Sequence, residues 1–374
     1  VSRAFAGLNG PYWTDPNDLS QINSDALGVT LENVEIGLAI LNAREGESDA
    51  YNGLTWTALE ADAENVELVG VSGVTATASN VDVAINQVQG LGSNQDSSDF
   101  VVDFAHADTA ITVITGPSTD RILAIDGSRG EQVRVSGDFA LDVAGFFSVS
   151  GSMGVEQSTR TLQIANGQQV ETEVLAIGGS GINGFAGVNG GTANKVGFEL
   201  TGLDFGLLLA SDIVDLDGDG TADDRLSWTA LEAEASSVSL EGFDTNLLTA
   251  TISNGLVQYN SVSGAGLGIG GVSANDWVLD LASLPIEVVT GTDTSRFMTI
   301  NGSEGELIRV LADIDLNIAN YLQVSGSLGF VQRTETVVLE NDDSVTMNVL
   351  ALGASGLSGF AGVNGGSVDA IGFA

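Results

Sequence analysis

Short runs in which apolar and polar residues alternate, broken by Gly, Asn, Asp and Ser, recur from one end of this chain to the other. The segment LGVTLENVEIGLAIL places Val29, Leu31, Asn33 and Glu35 on one side and Thr30, Glu32, Val34, Ile36 and Leu38 on the other. The apolar side changes midway, as at a bulge or in a strand buried on both faces, so the segment reads as strand. Its counterpart is VGFELTGLDFGLLL, from Val196 to Leu209. Each then meets a polar tip, REGESDAYNG from Arg44 or SDIVDLDGDGTADD from Ser211, before resuming with LTWTALEADA from Leu54 or LSWTALEAEA from Leu226. A strand, loop, strand hairpin fits both. Helix competes in WTALEA, because Trp56, Leu59, Ala63 and Val66 have helical spacing. The second copy continues as SSVSLEGF, serine-rich and β-branched, and two copies of one module share a fold, so strand is the reading for both.

VTATASNVDVAI, FVVDFA, AITVIT, RILAID and VRVSGDFALDVAGFFSVSGSMGV continue the pattern, which belongs to an antiparallel all-β domain. TLQIANGQQVETEV predicts a hairpin in which Asn166 and Gly167 take the positive φ angles of a type I′ turn; ENDDS, from Glu340, stands in the same place.

The alternation is itself repeated. FAGVNGG at Phe185 to Gly191 returns letter for letter at Phe360 to Gly366 and nearly so as FAGLNG at Phe5 to Gly10, at spacings of 175 and 180 residues. A unit of that size is domain-sized, unlike the short repeats of solenoids. The organisation expected is a first module over 1–184, preceded by the end of an earlier copy, a second over 185–359, and the start of a third over 360–374. The chain reads as cut from a longer polypeptide that carries its export signal and anchor elsewhere. With no Pro-rich or Ser-rich linker between copies, FAGVNGG predicts a stiff junction, with Phe185 and Phe360 packed into an interface and the glycines turning the chain. About a dozen strands per copy, in two layers of about six at about 4.8 Å spacing, make each copy roughly 30 Å along the ladder direction. The fold expected is all-β: tandem antiparallel β-sandwich-like modules stacked into a rod.

Charge narrows the partners. Asp plus Glu number 50 against 11 Lys plus Arg, a formal net charge of −39, and Lys195 is the one lysine. Nucleic acid and anionic membrane surfaces are poor partners, whereas divalent cations are attracted. A hydrophobic content of 43% is too high for an acidic disordered tail. There is no cysteine, so burial and backbone pairing must hold the fold. No run of 18 apolar residues is present to make a membrane-spanning helix.

The sharpest local motif is DLDGDGTADD, Asp215 to Asp224. Asp215, Asp217 and Asp219 at alternate positions set three carboxylates around one point, Gly218 and Gly220 let the loop fold back, the Thr221 carbonyl adds an oxygen, and Asp223 or Asp224 closes the shell. That donor set suits Ca²⁺, which takes six to eight oxygens. The segment resembles the aspartate-rich calcium loops of dockerins, EF-hands and thrombospondin-type repeats, but Leu226 stands where an EF-hand has its closing Glu. The first copy has REGESDA instead.

Catalytic constellations are scarce. His106 is the single histidine and has no counterpart in the second copy, so neither a Ser, His, Asp triad nor a histidine-rich zinc site can be built. Asp103 and Asp280 occupy the same place in both copies, beside apolar residues, and read as structural. Trp56 and Trp228 recur at equivalent positions, Trp13 and Trp277 do not, and core packing accounts for all four. GIGG at 268–271 lacks the strand and helix setting of a nucleotide site.

The WTALEA stretch, VSGSMG at Val149, VSGSLG at Val324, and the VLAIGG and VLALGA strands leading into FAGVNGG resemble the long tandem modules of giant secreted Gram-negative surface proteins, the RTX-type adhesins and their relatives. The calcium β-roll nonapeptide of that family is absent. The resemblance implies an extracellular, cell-surface location, a structural or adhesive role and dependence on calcium. The function expected is therefore a structural repeat protein, forming an adhesin shaft, filament or surface layer, whose partners are neighbouring copies of the module and, through exposed sheet edges, laterally associated chains. A polysaccharide-binding module is the alternative, and a polysaccharide-degrading enzyme stands behind both.

Overall fold

The computed structural model describes residues 3–15, 18–44, 51–92, 97–216, 220–244, 247–268 and 272–374. Long alternating runs give strands throughout. The chain opens with β1 (Arg3–Leu8), β2 (Trp13–Asp15), β3 (Asp18–Ile22), β4 (Leu27–Asn42), β5 (Thr55–Val69) and β6 (Val74–Gln89). It continues with β7 (Ile111–Ile114), β8 (Asp120–Leu123), β9 (Gln132–Val143), β10 (Phe147–Gln163) and β11 (Gln169–Val188). The second copy supplies β12 (Val196–Val214), β13 (Asp224–Glu241), β14 (Leu248–Gly264), β15 (Ile286–Gly291), β16 (Thr294–Met298), β17 (Leu307–Ile318), β18 (Leu322–Val338) and β19 (Ser344–Val363), followed by β20 (Ile371–Phe373).

Fourteen of these form one antiparallel sheet in the order β1-β4-β5-β6-β9-β10-β11-β12-β13-β14-β17-β18-β19-β20. The all-β, antiparallel class is thus the one expected, and WTALEA lies in strand in both copies. The layers are distributed differently. Each copy gives six long strands to the same sheet, and a thin second layer comes from two arms, one between β6 and β9 carrying the hairpin β7-β8, the other between β14 and β17 carrying β15-β16. FVVDFA, expected as a strand, is instead irregular chain at the root of the first arm. Six strands at about 4.8 Å advance the sheet by about 29 Å per copy.

The apolar face switches midway along these strands, where the pairing is interrupted and, on several of them, bulged. Register shifts fall between Ser79 and Asp82, Ser150 and Ser152, Gly179 and Ile182, Ser253 and Leu256, and Ser325 and Ser327. Asn33, Asn80, Gly181, Gly202, Asn254 and Gly356 take positive φ at or beside these points. Asn and Gly tolerate that conformation, and each extra residue bends its strand, so the bulges line up as a crease across the sheet. Side chains lace the crease: Asp138 accepts from Asn80 Nδ2 at 2.9 Å and from the Ser152 hydroxyl, and Asp313 accepts from Asn254 Nδ2 at 2.8 Å and Ser327 Oγ at 2.5 Å.

The junction is a hairpin within the sheet. β11 runs through FAGV and returns as β12, with Ala186 opposite Phe198, Gly187 opposite Gly197 and Val188 opposite Val196. Phe185 is buried with its ring folded over its own glycines, where a β-carbon on Gly190 would lie 2.8 Å from ring atom Cδ1. This self-packing explains why the string recurs intact. The β10-β11 turn differs from the expected type I′: Gly167 alone has positive φ, Gly167 N–H donates to Ile164 O and Ile164 N–H to Gln168 O, which is a type I turn closed by a left-handed glycine. Asp342 holds that position in the second copy.

Candidate functional site at the seam between the repeats

Both arms are pinned to their own repeat by matching side chains. Trp56 Nε1 donates to Phe100 O and Trp228 Nε1 to Trp277 O, each at 2.6 Å. Asn86 Nδ2 donates to Val102 O and Asn260 Nδ2 to Leu279 O, each at 2.8 Å. Asp103 Oδ1 accepts from Gly127 N–H at 3.2 Å and Asp280 Oδ1 from Gly302 N–H at 3.0 Å, closing the end of each arm. Burial opposes ionisation of Asp280, but hydrogen bonds from Ser283, Gly302 and Ala282 outweigh it and hold its carboxyl below the usual range. Arg121 pairs with Glu60 and Asp62, and Arg296 with Glu232 and Glu234. The structural reading of Asp103 and Asp280 agrees with this geometry, and Trp228 and Trp277 lie in the core.

The second arm also reaches back onto the first repeat. Its strand β15 lies over the cross-strand pair Gly154 and Gly178, where a β-carbon on Gly154 would sit 2.6 Å from Val289 O and one on Gly178 would overlap the same carbonyl. Next in the row is Gly206, paired with Gly178, where a β-carbon would be 3.0 Å from Met298 Cγ. Three glycines on adjacent strands thus form the trough in which the β15-β16 hairpin rests. Backbone bonds add to it: Ala165 N–H to Val278 O and Asn166 N–H to Asp276 O at 2.9 Å, and Asp280 N–H to Gln163 O at 2.8 Å, tie the β10-β11 turn to the second arm. Thr292 Oγ1 donates to Asn80 O at 2.5 Å.

A charged chain completes the seam. Glu156, only 2% exposed, is held by Arg160 and by Arg129 at 3.2 Å, and Arg129 also reaches Glu287 on β15 at 2.7 Å. Beside it, between the arms, is a cavity of about 770 Å³ lined by Glu60, Asp62, Glu64, Asp82, Glu287 and Asp293, with Arg129 and Arg134 on the wall. Arg134 pairs with Asp82 at 3.2 Å, so carboxylates dominate the open space, which suits water and cations and repels anions.

The aspartate-rich loop is the β12-β13 hairpin tip, as expected. Asp217, Gly218 and Asp219 lie outside the described residues. Of the remainder, Asp215 Oδ2 accepts from Gly220 N–H at 2.8 Å, which turns the loop back on itself, and Asp224 opens β13 opposite Val214. Asp223 and the Thr221 carbonyl belong to the stretch between, and Leu216 is buried in the core. Among the described residues, no group of three or more His, Cys, Asp or Glu is placed to share a metal. His106 lies on an exposed turn, its Nδ1 accepting from Asp108 N–H at 3.3 Å. GIGG falls largely outside the described residues.

No family model, curated protein or solved structure matches this chain. No described helix is long and apolar enough to cross a membrane. The glycine trough and the residues that fill it went unread in the sequence, although the signal was present: ITVIT and IEVVT align at the same 175-residue offset as GSMG and GSLG.

Proposed function

We propose that this is a structural repeat protein of the extracellular surface, similar to the shaft of a giant RTX-type adhesin, in which each repeat is locked onto the one before it. The observation that carries this reading is the seam: an unbroken sheet passes through the FAGVNGG turn, and the second arm is hydrogen-bonded to strands of both copies. A hinge there would have to break ladder bonds, the arm's backbone bonds and a buried charge network together. The loop from Asp215 to Asp224 holds Ca²⁺ in this proposal, with Asp215, Asp217, Asp219, Asp223 and Asp224 and the Thr221 carbonyl as ligands, relieving repulsion among carboxylates at the hairpin tip.

Electron microscopy of a polypeptide with several repeats tests the shaft. Straight particles that lengthen by about 29 Å per repeat are expected, and random bends at each FAGVNGG turn would overturn it. Calorimetric titration with Ca²⁺ tests the loop: heat of binding should vanish in Asp217→Ala with Asp219→Ala, and an unchanged isotherm removes the site.

A further inference from the structure

The side of the sheet turned away from the arms is apolar and uncovered. The β15-β16 hairpin lies over Gly154, Gly178 and Gly206, so strand alternation points their neighbours Val155, Ile177 and Leu207 to the opposite side. These belong to one row across six internal strands, Val83, Val135, Val155, Ile177, Leu207 and Leu231, each directly opposite the next. None of the six is buried, whereas Ala84, Gly154, Gly178, Gly206 and Ala230, beside them on the arm side, all are. The row continues without a charge through Ala61 and Ile36 one way and through Tyr259, Ile308, Gln332 and Leu350 the other. Between β6 and β13 the adjacent rows, through Gln157 and Leu175 and through Met153 and Gly179, are uncharged too. Beyond the crease the same side stays apolar. A β-carbon on Gly179 would lie 2.4 Å from Phe205 Cε1 and 3.2 Å from Ile182 Cγ1, so Ile182 shares this side, and Gly184 and Ala186 follow it. Ala186 stands opposite Phe147 and Phe198, which are 44% and 62% exposed.

We propose that this face packs against the same face of a second copy of the chain, so that two sheets laid back to back make a double-layered rod. The pairing rests on the structural-repeat reading and names its lateral partner. Neighbouring repeats of one polypeptide extend the sheet at its edges, so they lengthen this face and do not cover it. Twelve long strands at about 4.8 Å, each giving about seven residues between crease and tip, present about 1,400 Å² per molecule, against the roughly 800 Å² per partner that a stable interface buries. Its occupant must be apolar, uncharged and extended over that length, which is the description of the face itself. Stacked sheets lie about 10 Å apart. Carboxylates on the arm sides then stand outward of both layers, beyond the roughly 8 Å over which charges act in physiological salt, so a net charge of −39 does not forbid the pairing. A lipid surface would meet the same rows, but they end at acidic tips such as the exposed Glu173, which anionic headgroups repel.

Sedimentation equilibrium of the full chain tests the pairing. A dimer is expected, tightening about tenfold between about 0.05 M and about 0.5 M NaCl, because screening removes repulsion while an uncharged interface loses nothing. Val135→Lys with Val155→Glu sets opposite charges at directly opposed sites, where they pair within the sheet. Buried in the interface they should weaken the dimer at least about a hundredfold. Phe198→Lys, beyond the crease, should act in the same direction, and Phe297→Lys, 58% exposed on β16 of the arm, should leave the dimer unchanged. A monomer throughout, a dimer indifferent to the Val135 and Val155 exchange, or a monomer that floats with phosphatidylcholine vesicles overturns the proposal. Ser152→Cys with Gly291→Cys, added to each chain, separates this from the reading beneath it and shows that each variant folds. A β-carbon on Gly291 would lie 2.7 Å from Ser152 Cβ, and no native cysteine competes. If that internal disulfide forms and the chain stays monomeric, the pairing of faces alone falls; if it does not form, the seam and the structural-repeat reading fall with it.

Discussion

The two arms have equivalent anchors and unequal cores. Among the described residues, the second arm shares a cluster of 21 buried apolar residues drawn from both repeats, including Leu162, Val174, Trp228, Leu279 and Met298; the first shares one of five, Ala58, Ala84, Phe104, Leu123 and Ile125, all from its own repeat. The arms are related in sequence, so the difference lies in what each finds beneath it. Among the described residues, β15 has β10 and β11 under it, whereas the β7-β8 hairpin lies over β4 and β5, with the short strand β1 beyond. A repeat of this protein therefore completes its core on the repeat before it, and the boundary of tight packing is displaced from the boundary of sequence identity.

Substitutions at paired positions break or sharpen that contrast. The largest expected difference is at the peg: Val289→Asp should cost about 4 kcal/mol in denaturant unfolding, because it buries a carboxylate without a partner, while Ile114→Asp should change stability by less than about 0.5 kcal/mol. Next is the seat. Gly178→Val forces a side chain into the Val289 carbonyl and should cost about 3 kcal/mol, whereas Gly353→Val, in open space on an extended strand, should be neutral to within about 0.5 kcal/mol. Equal losses at the two glycines would mean that the arm is not seated as described. The indole anchors come third: Trp228→Phe leaves the buried Trp277 carbonyl unpaired and should cost about 2 kcal/mol, with Trp56→Phe at about 1 kcal/mol because its surroundings are half exposed.

The smallest effect should be the same in both repeats. Hydrogen bonds from Ser152 and Asn80 hold the Asp138 carboxyl below its ordinary range, and bonds from Asn254 and Ser327 do so for Asp313. Folding thus favours the ionised forms. Their contribution is complete above the unfolded-state value of about 3.9 and is lost as pH falls through the lower folded-state values. Stability measured between pH 6 and pH 2 should fall less steeply at the acid end in Asp138→Asn and, to the same degree, in Asp313→Asn. Unequal slopes would show that the crease depends on the neighbouring repeat.

Much of the fold could be read from residue pattern. The change of apolar side in LGVTLENVEIGLAIL announced the break in pairing at Asn33, where φ is positive, and FAGVNGG announced the turn that joins the copies, whereas Phe185, expected in an interface between copies, packs over the glycines of its own turn. The single sheet could not be read, because strands half-covered by an arm on one side and half-exposed on the other give the same alternation as strands in a sandwich. Turn type escaped for another reason: Asn-Gly favours positive φ at both residues, but here the loop takes one residue more and only its last, Gly167, turns left-handed, as Asp342 does at the equivalent tip, which no arm covers. Gly154, Gly178 and Gly206 stand out by no motif in the sequence, and their use is the room they leave for a backbone crossing above them. Asp217 and Asp219, two of the proposed calcium ligands, lie outside the described residues, so the motif stands as the sequence presents it.

The antiparallel meander fixes how the molecule answers a pull along its length. Tension applied at the two ends runs across the strands, so ladder hydrogen bonds are loaded one after another, as in unzipping, and a bare meander would peel strand by strand at low force. The hairpin over Gly154, Gly178 and Gly206 spans three strands at once and cannot leave the trough until its backbone bonds, its ion pairs and the packing of Val289 fail together. Extension of this chain should therefore rise to a distinct force peak at the straddled strands, with β17 to β19 giving way earlier at little resistance.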